Sequence, residues 1–166
     1  MGRDTVDEIA EAWDRELAGV VGTELALAKR AARVAGLMNG PVEEQLTRLG
    51  LTRAEYEILA VLRASGPPYR MRPSLLAQRL LLTSGGTSNV LRRLSAAGLI
   101  DRDPDPADAR SSPVRLSPSG VKLAEDAVRA ASAAQAIRLR DVPPEVTDAA
   151  ISALRNLLLA LGDTAG

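Results

Sequence analysis

The 166-residue chain is 46% hydrophobic and 25% charged, which is ordinary for a globular protein and enough for one sizeable core. It contains no Cys and no His, so disulfides and thiolate metal sites are excluded, and the commonest general base and zinc ligand are missing. Its net charge is zero. Because Cys and His are missing, we expect neither an enzyme nor a metal or cofactor protein.

The amino-terminal segment and the apolar runs bear on location. The first twenty residues carry acids where a signal peptide would be basic and then apolar, and Val6 breaks the myristoylation pattern. The longest apolar stretches, such as residues 157–161, are far too short to span a bilayer. These patterns predict a cytoplasmic protein with no membrane partner.

The charge is unevenly distributed along the chain. Residues 69–99 hold five arginines and no acid, and residues 69–116 hold eight arginines and four aspartates, a net charge of +4. A basic segment in a neutral protein is typical of a local nucleic-acid-binding face. The alternative is an arginine-rich surface that only contacts solvent.

The amino-terminal third is predicted to be helical. Residues 5–38 lack Pro and carry apolar residues at helical spacing, which predicts one long helix. The sequence Asn39-Gly40-Pro41 predicts a break, and a short helix is expected over residues 42–49.

The middle of the chain carries clear helix signals. Thr52 and Glu55 form a capping box that predicts a helix start, and the sequence over residues 65–68, Ser-Gly-Pro-Pro, ends that helix. A short strand is expected over residues 69–72, followed by a helix that Pro73 opens.

A second helix follows after a tight turn. Thr83 or Ser84 can cap a helix that runs to about Ala97, and Gly98 is placed to end it. Two helices joined by a tight turn, the second capped and basic, form a helix-turn-helix, whose second helix enters the major groove of DNA.

The predicted second helix has two different faces. Val90, Leu91 and Leu94 should pack on the leucines at positions 75, 76 and 80 of the preceding helix. The other face offers small, hydroxyl, amide and guanidinium groups, which bind base edges and phosphates. Arg92 and Arg93 point about 100° apart, so one can turn back toward the protein. The predicted DNA contacts here are Arg72, Thr83, Ser84, Gly85, Thr87, Ser88, Asn89, Arg92 and Arg93.

A β-hairpin is predicted next, with strands at residues 99–102 and 114–116 around a polar, proline-rich loop. After a helix-turn-helix, this hairpin is read as a wing whose Asp108 and Arg110 lie at the minor groove. The alternative is a surface turn with a local Asp–Arg pair. Ser117 is expected to cap a helix that begins at Pro118, and a last helix should begin at Pro144. The fold class predicted is mainly α, with a small β component.

Residues 65–120 resemble the winged-helix core of MarR-family regulators through four motifs: LTSGG..N at 82–89, LRRLSAAGLI at 91–100, Asp-x-Arg at 108–110 and LSPSG at 116–120. The resemblance implies a single MarR-like domain over residues 1–166, with residues 51–116 as the DNA-binding lobe. Residues 1–50 and 117–166 would supply dimerisation helices. It also implies a homodimer on double-stranded DNA, at a pseudo-palindromic operator with half-sites roughly 34 Å apart.

The sequence SGPPYR and Trp13 resemble the PecS-type branch of that family, whose members respond to urate. For this chain the resemblance implies a small anionic or phenolic effector bound by Trp13, Glu57 and Arg110. Glu57 replaces the Asp of the branch and Val90 replaces its recognition-helix Arg, which puts the urate response in doubt. Trp13 can equally be a core residue and Glu57 a solvated charge.

Three functional hypotheses follow. The first is a repressor that an effector releases from its operator. The second is a regulator with the same fold and no effector. The third, disfavoured by the missing His and Cys and by the acid-free segment 69–99, is an enzyme or scaffold on this fold.

Overall fold

The computed structural model describes residues 2–20, 22–102 and 112–164. These ranges are mostly helical, with a few short strands. In chain order the elements are α1 (Thr5–Glu16), α2 (Thr23–Arg48), α3 (Arg53–Ala64), β1 (Arg70–Met71), α4 (Pro73–Arg79), α5 (Ser84–Ala96), β2 (Ile100–Arg102), β3 (Val114–Leu116), α6 (Pro118–Leu139) and α7 (Pro144–Ala160). The predicted mainly α fold with a small β component is confirmed.

The strands form an antiparallel sheet with β3 between β1 and β2. In the β2–β3 hairpin Ile100 pairs with Leu116 and Arg102 pairs with Val114. Ile100, Val114 and Leu116 are buried, so one face of the hairpin base is part of the core. This burial fixes the strand register, because a slip of one residue would turn these side chains to solvent.

The chain divides into two compact units, Met1–Gln135 and Ala136–Gly166. The core of the first unit joins α2, α3, α4, α5, the strands and α6. The residues that α6 contributes to this core are small: Ala124, Ala127 and Ala131 are almost fully buried. In the second unit, no residue of α7 is buried.

The amino-terminal helix is shorter than predicted. The expected helix over residues 5–38 is divided, because α1 ends at Glu16 and α2 begins at Thr23. Gly19 lies between them at φ 76°, a conformation that glycine adopts without steric cost. Arg30 of α2 binds Asp4 at 2.8 Å and Asp7 at 2.6 Å, which ties α1 to α2.

The predicted break at Pro41 is also wrong, because α2 continues through this residue to Arg48. A proline inside a helix removes one backbone donor and clashes with the preceding turn. Val42 follows it directly and Leu46 lies about one turn further along α2, and each is only 1% exposed. We attribute the continuous helix to the burial of this pair, since each buried side chain contributes about 1.5–3 kcal/mol.

Several predicted boundaries are confirmed. Thr52 and Glu55 form both hydrogen bonds of the capping box at the start of α3. Gly98 follows α5 at φ 67°, as expected for a helix-ending glycine. The Ser117 hydroxyl accepts a hydrogen bond from the Gly120 amide at 3.1 Å, so Ser117 caps α6.

Candidate nucleic-acid interface

A tight turn joins α4 to α5. The Leu82 amide donates to the Ala77 carbonyl at 2.9 Å, and Leu81 has a φ of 51°, so the chain reverses sharply after α4. The Thr83 hydroxyl then accepts from the Gly86 amide at 3.1 Å and caps α5. These contacts build the predicted helix-turn-helix.

The two faces of α5 differ as predicted. Val90, Leu91 and Leu94 are buried and pack in the same core as Leu76 of α4. Leu75, which was predicted to share this contact, is 37% exposed instead. The opposite face is exposed at positions 85, 88, 89 and 92. A helix held by one face therefore presents the other to a partner.

Thr87 requires a correction among the predicted contacts. Its side chain is 2% exposed, and its hydroxyl donates to the Thr83 carbonyl at 3.0 Å. It therefore stabilises the first turn of α5 and presents no group at the surface. A residue four positions after the helix cap can bond to the backbone carbonyl one turn before it, and the sequence pattern did not distinguish that role from DNA contact.

The exposed face carries suitable chemistry for DNA. The Arg92 guanidinium donates to Asn89 Oδ1 at 3.1 Å, so an amide and a guanidinium lie side by side one turn into α5. Gly85 has open space where a side chain would lie, which allows close approach of a partner. The first turn of α5 contains no acid, so its amide groups favour a phosphate.

Arg93 faces a different environment from Arg92. Its Nε donates to Glu55 Oε1 at 2.9 Å, across the gap between α5 and α3. Burial alone would raise the pKa of Glu55, but hydrogen bonds from Arg93 and Thr52 outweigh it and hold that pKa below its ordinary value. Glu55 is therefore a carboxylate at neutral pH, and one of the two adjacent arginines turns back to the protein.

The remaining predicted contacts lie around this face. Arg72 is exposed at the cap position of α4. Ser84 begins α5. Asp108 and Arg110, predicted for the wing, lie outside the described residues. The base of the wing is described, and there Asp101 and Arg115 pair across β2 and β3 at 3.6 Å.

Two of the predicted effector residues, Trp13 and Glu57, line two different cavities, and the third, Arg110, lies outside the described residues. Trp13 lines a cavity of about 600 Å³ between α1 and α2, with Leu17, Leu25 and Lys29 among its walls. Glu57 lines another, of about 460 Å³, beside the α4–α5 turn. Its carboxylate accepts from Arg53 Nε at 2.7 Å, so it is neither free nor simply solvated.

Two pairings that position the interface were not foreseen from the sequence. One is the Glu55–Arg93 pair, where Glu55 carried only a capping signal. The other is Arg63 at the end of α3, whose guanidinium lies 4.8 Å from the Tyr69 ring centroid and bonds Glu125 of α6 at 2.8 Å. No local pattern could reveal them, because Arg93 and Glu125 lie 38 and 62 residues along the chain from their partners.

Across residues 2–20, 22–102 and 112–164, no cluster of three or more acidic, His or Cys side chains is placed to hold a metal ion. Over the same ranges, no helix is both long and apolar enough to cross a bilayer.

A capped, acid-free helix presented by a helix-turn-helix beside a β-hairpin defines a winged-helix DNA-binding protein. The family model described as MarR family matches residues 49–111. The HTH-type transcriptional repressor Rv2887 of Mycobacterium tuberculosis is 34% identical over 110 residues, which are 64% of this chain and 77% of that protein. The HTH-type transcriptional regulator PecS of Dickeya dadantii is 28% identical over 118 residues, 71% of each chain.

Solved structures agree. AbsC, a MarR family transcriptional regulator from Streptomyces coelicolor, superposes with a TM-score of 0.72 at 25% identity, over 87% of this chain and 98% of that one. A mutant MarR from E. coli, complexed with operator DNA, matches with a TM-score of 0.71 at 20% identity, over 94% and 99% of the two chains, and shows the shared fold. The chain belongs to the MarR family and is a DNA-binding transcriptional regulator.

Proposed function

We propose that the protein is a repressor that binds a pseudo-palindromic operator as a homodimer and is released by a small effector. The observation that carries the DNA-binding role is the two-faced α5, with Val90, Leu91 and Leu94 buried and Asn89 and Arg92 exposed beside each other. Relatives named as repressors, and a structural neighbour solved with operator DNA, support this role. We further propose that it acts in the cytoplasm, where a bacterial-type operator is accessible.

The exposed face of α7 supports the homodimer. Ile151, Leu154 and Leu158 of α7 and its cap residue Leu161 recur at spacings of three and four residues, and each is at least 45% exposed in the single chain. Such a stripe is the pattern of a helix that packs on another helix. A second copy offers the same stripe, so a two-fold contact can bury both. Residues 1–50 and 117–166 remain our proposed dimerisation segments, and residues 51–116 the DNA-binding lobe.

The operator is expected to have the symmetry of the dimer. Repeated selection of bound duplexes from a random pool should enrich a pseudo-palindrome whose half-sites lie about one helical turn, roughly 34 Å, apart. In a gel shift, the same duplex should compete for the protein with DNA taken from upstream of the protein's own gene. Enrichment of an asymmetric sequence would contradict the dimer, and no enrichment at low salt would contradict sequence-specific DNA binding.

The effector is proposed to be a small anionic or phenolic compound bound at the α1–α2 cavity. Its volume of about 600 Å³ lies within the usual range for small-molecule sites. Trp13, Leu17 and Leu25 offer apolar walls, and Lys29 offers a cation for an anion or phenolate. A ligand releases the operator only by binding the DNA-free shape more tightly.

Thermal shifts against a panel of small anionic and phenolic metabolites test the effector. We expect at least one compound to raise the melting temperature, to release the selected duplex and to lose its effect in Trp13→Ala. If no compound stabilises the protein while operator binding is intact, the alternative of a regulator without an effector is favoured.

A further inference from the structure

The Glu55–Arg93 pair is unequal in its surroundings. The Glu55 side chain is 12% exposed and the Arg93 side chain 53% exposed, and their atoms Oε1 and Nε lie 2.9 Å apart. The carboxylate is thus fixed inside the lobe, while the guanidinium reaches it from the surface. Arg93 directly follows Arg92, the arginine on the exposed face of α5.

Thr52 holds the other oxygen of the same carboxylate. Its amide donates to Glu55 Oε2 at 2.8 Å and its hydroxyl donates to that atom at 2.7 Å. Each carboxylate oxygen therefore has its own partners, and the group cannot rotate away from Arg93 without breaking the capping box of α3. A charge-assisted hydrogen bond of this geometry is about twice as strong as a neutral one.

We propose that Glu55 is a specificity-determining residue: it occupies Arg93 and withholds this cation from DNA phosphates. Each arginine–phosphate contact adds affinity that does not depend on sequence, because it releases counterions from any duplex. An internal carboxylate that neutralises one arginine lowers this background and leaves the contacts to base edges unchanged. The ratio of specific to non-specific affinity then rises. The inference rests on the proposal that α5 lies against DNA.

Glu55→Gln is the direct test, because glutamine also forms a capping box and only the charge is removed. The probe is an unselected 30-base-pair duplex, with binding followed by fluorescence anisotropy across a salt series. We expect affinity to rise roughly three- to tenfold at 0.1 M salt, and the slope of log affinity against log salt to steepen by about 0.9. Glu16→Gln, which removes the same charge from α1, should leave the slope unchanged.

Arg93→Ala completes the test. Alone it should leave the slope of the unmodified protein unchanged, and in the Glu55→Gln background it should abolish the gain. If Arg93→Ala alone makes the slope shallower by about 0.9, the inference is overturned, because Arg93 then already contacts phosphate in the unmodified protein. An unchanged slope in Glu55→Gln would also overturn it, provided that the melting temperature shows a folded protein.

Arg92→Ala separates this failure from failure of the underlying proposal. If Arg92→Ala makes the salt dependence shallower while Glu55→Gln leaves it unchanged, α5 contacts DNA and only the role of Glu55 is wrong. If Arg92→Ala also leaves the slope unchanged, the placement of α5 against DNA is wrong, and the Glu55 inference is overturned with it.

Discussion

Gly120→Ala is expected to destabilise the protein by roughly 3 kcal/mol or more, or to prevent folding at 37 °C. A methyl group at this position would meet the Leu99 carbonyl oxygen at a separation far inside van der Waals contact. The obstructing atom belongs to the backbone, so a side-chain rotation cannot relieve the clash. Thermal and urea unfolding of the purified protein give the measurement.

Hydrogen bonds hold both sides of that contact in place. The Ser117 amide donates to the Leu99 carbonyl at 3.0 Å, and the hydroxyls of Ser117 and Ser119 donate to the Gly98 carbonyl at 2.7 and 3.0 Å. Moving α6 away from the turn would break these bonds and shift β3, which Ser117 follows. The motif LSPSG at 116–120 is thus explained by a close approach between backbones.

Gly36→Ala is the matched control. Gly36 lies inside α2, and an added methyl would meet no atom within 4 Å. Alanine in place of a helical glycine should leave stability unchanged or raise it by roughly 0.5–1 kcal/mol. If Gly120→Ala unfolds at the same temperature as the unmodified protein, the packing of α6 on the turn after α5 is not as described.

Replacing Leu154 and Leu158 together with glutamate is expected to convert the proposed homodimer into a monomer. Both leucines lie on the exposed stripe of α7 and are 45% and 49% exposed. A two-fold interface counts each substitution twice, and each leucine has about half of its surface left to bury, so the loss of burial alone is roughly 3–6 kcal/mol, before charge repulsion. Light scattering after size exclusion should show the halved mass. Affinity for the selected duplex should fall at least about a hundredfold, because one half-site remains.

Ser152→Glu with Asn156→Glu adds the same charge to the opposite face of α7 and serves as the control. The two positions are four residues apart, as Leu154 and Leu158 are. The control should remain dimeric and bind the duplex as the unmodified protein does. A dimeric Leu154→Glu/Leu158→Glu variant would rule out this stripe as the contact between copies.

Much of the fold could be predicted because its signals are local. The capping box at Thr52, the helix-ending Gly98 and the Ser117 cap each act within a few residues, and all three occur where the sequence placed them. The failures have non-local causes. Burial of Val42 and Leu46 carries α2 through Pro41, which a propensity argument around the proline does not include.

The candidate site divides in the same way. The buried face of α5 follows from helical periodicity, so Val90, Leu91 and Leu94 could be assigned to the core. The sequence could not show which polar residues of α5 reach a partner, because their availability depends on whether they pair with other parts of the fold. Thr87 bonds back to Thr83, and Arg93 bonds Glu55 from 38 residues away.

The central claim is that the exposed face of α5 binds DNA. The salt dependence of operator binding in Arg92→Ala tests this claim most directly. On the selected duplex, we expect the negative slope of log affinity against log salt to become shallower by about 0.9 relative to the unmodified protein, because one phosphate contact is lost. Arg129→Ala removes an arginine that is 72% exposed on α6, outside this face, and should leave the slope unchanged. Equal slopes for Arg92→Ala, Arg129→Ala and the unmodified protein would contradict the claim.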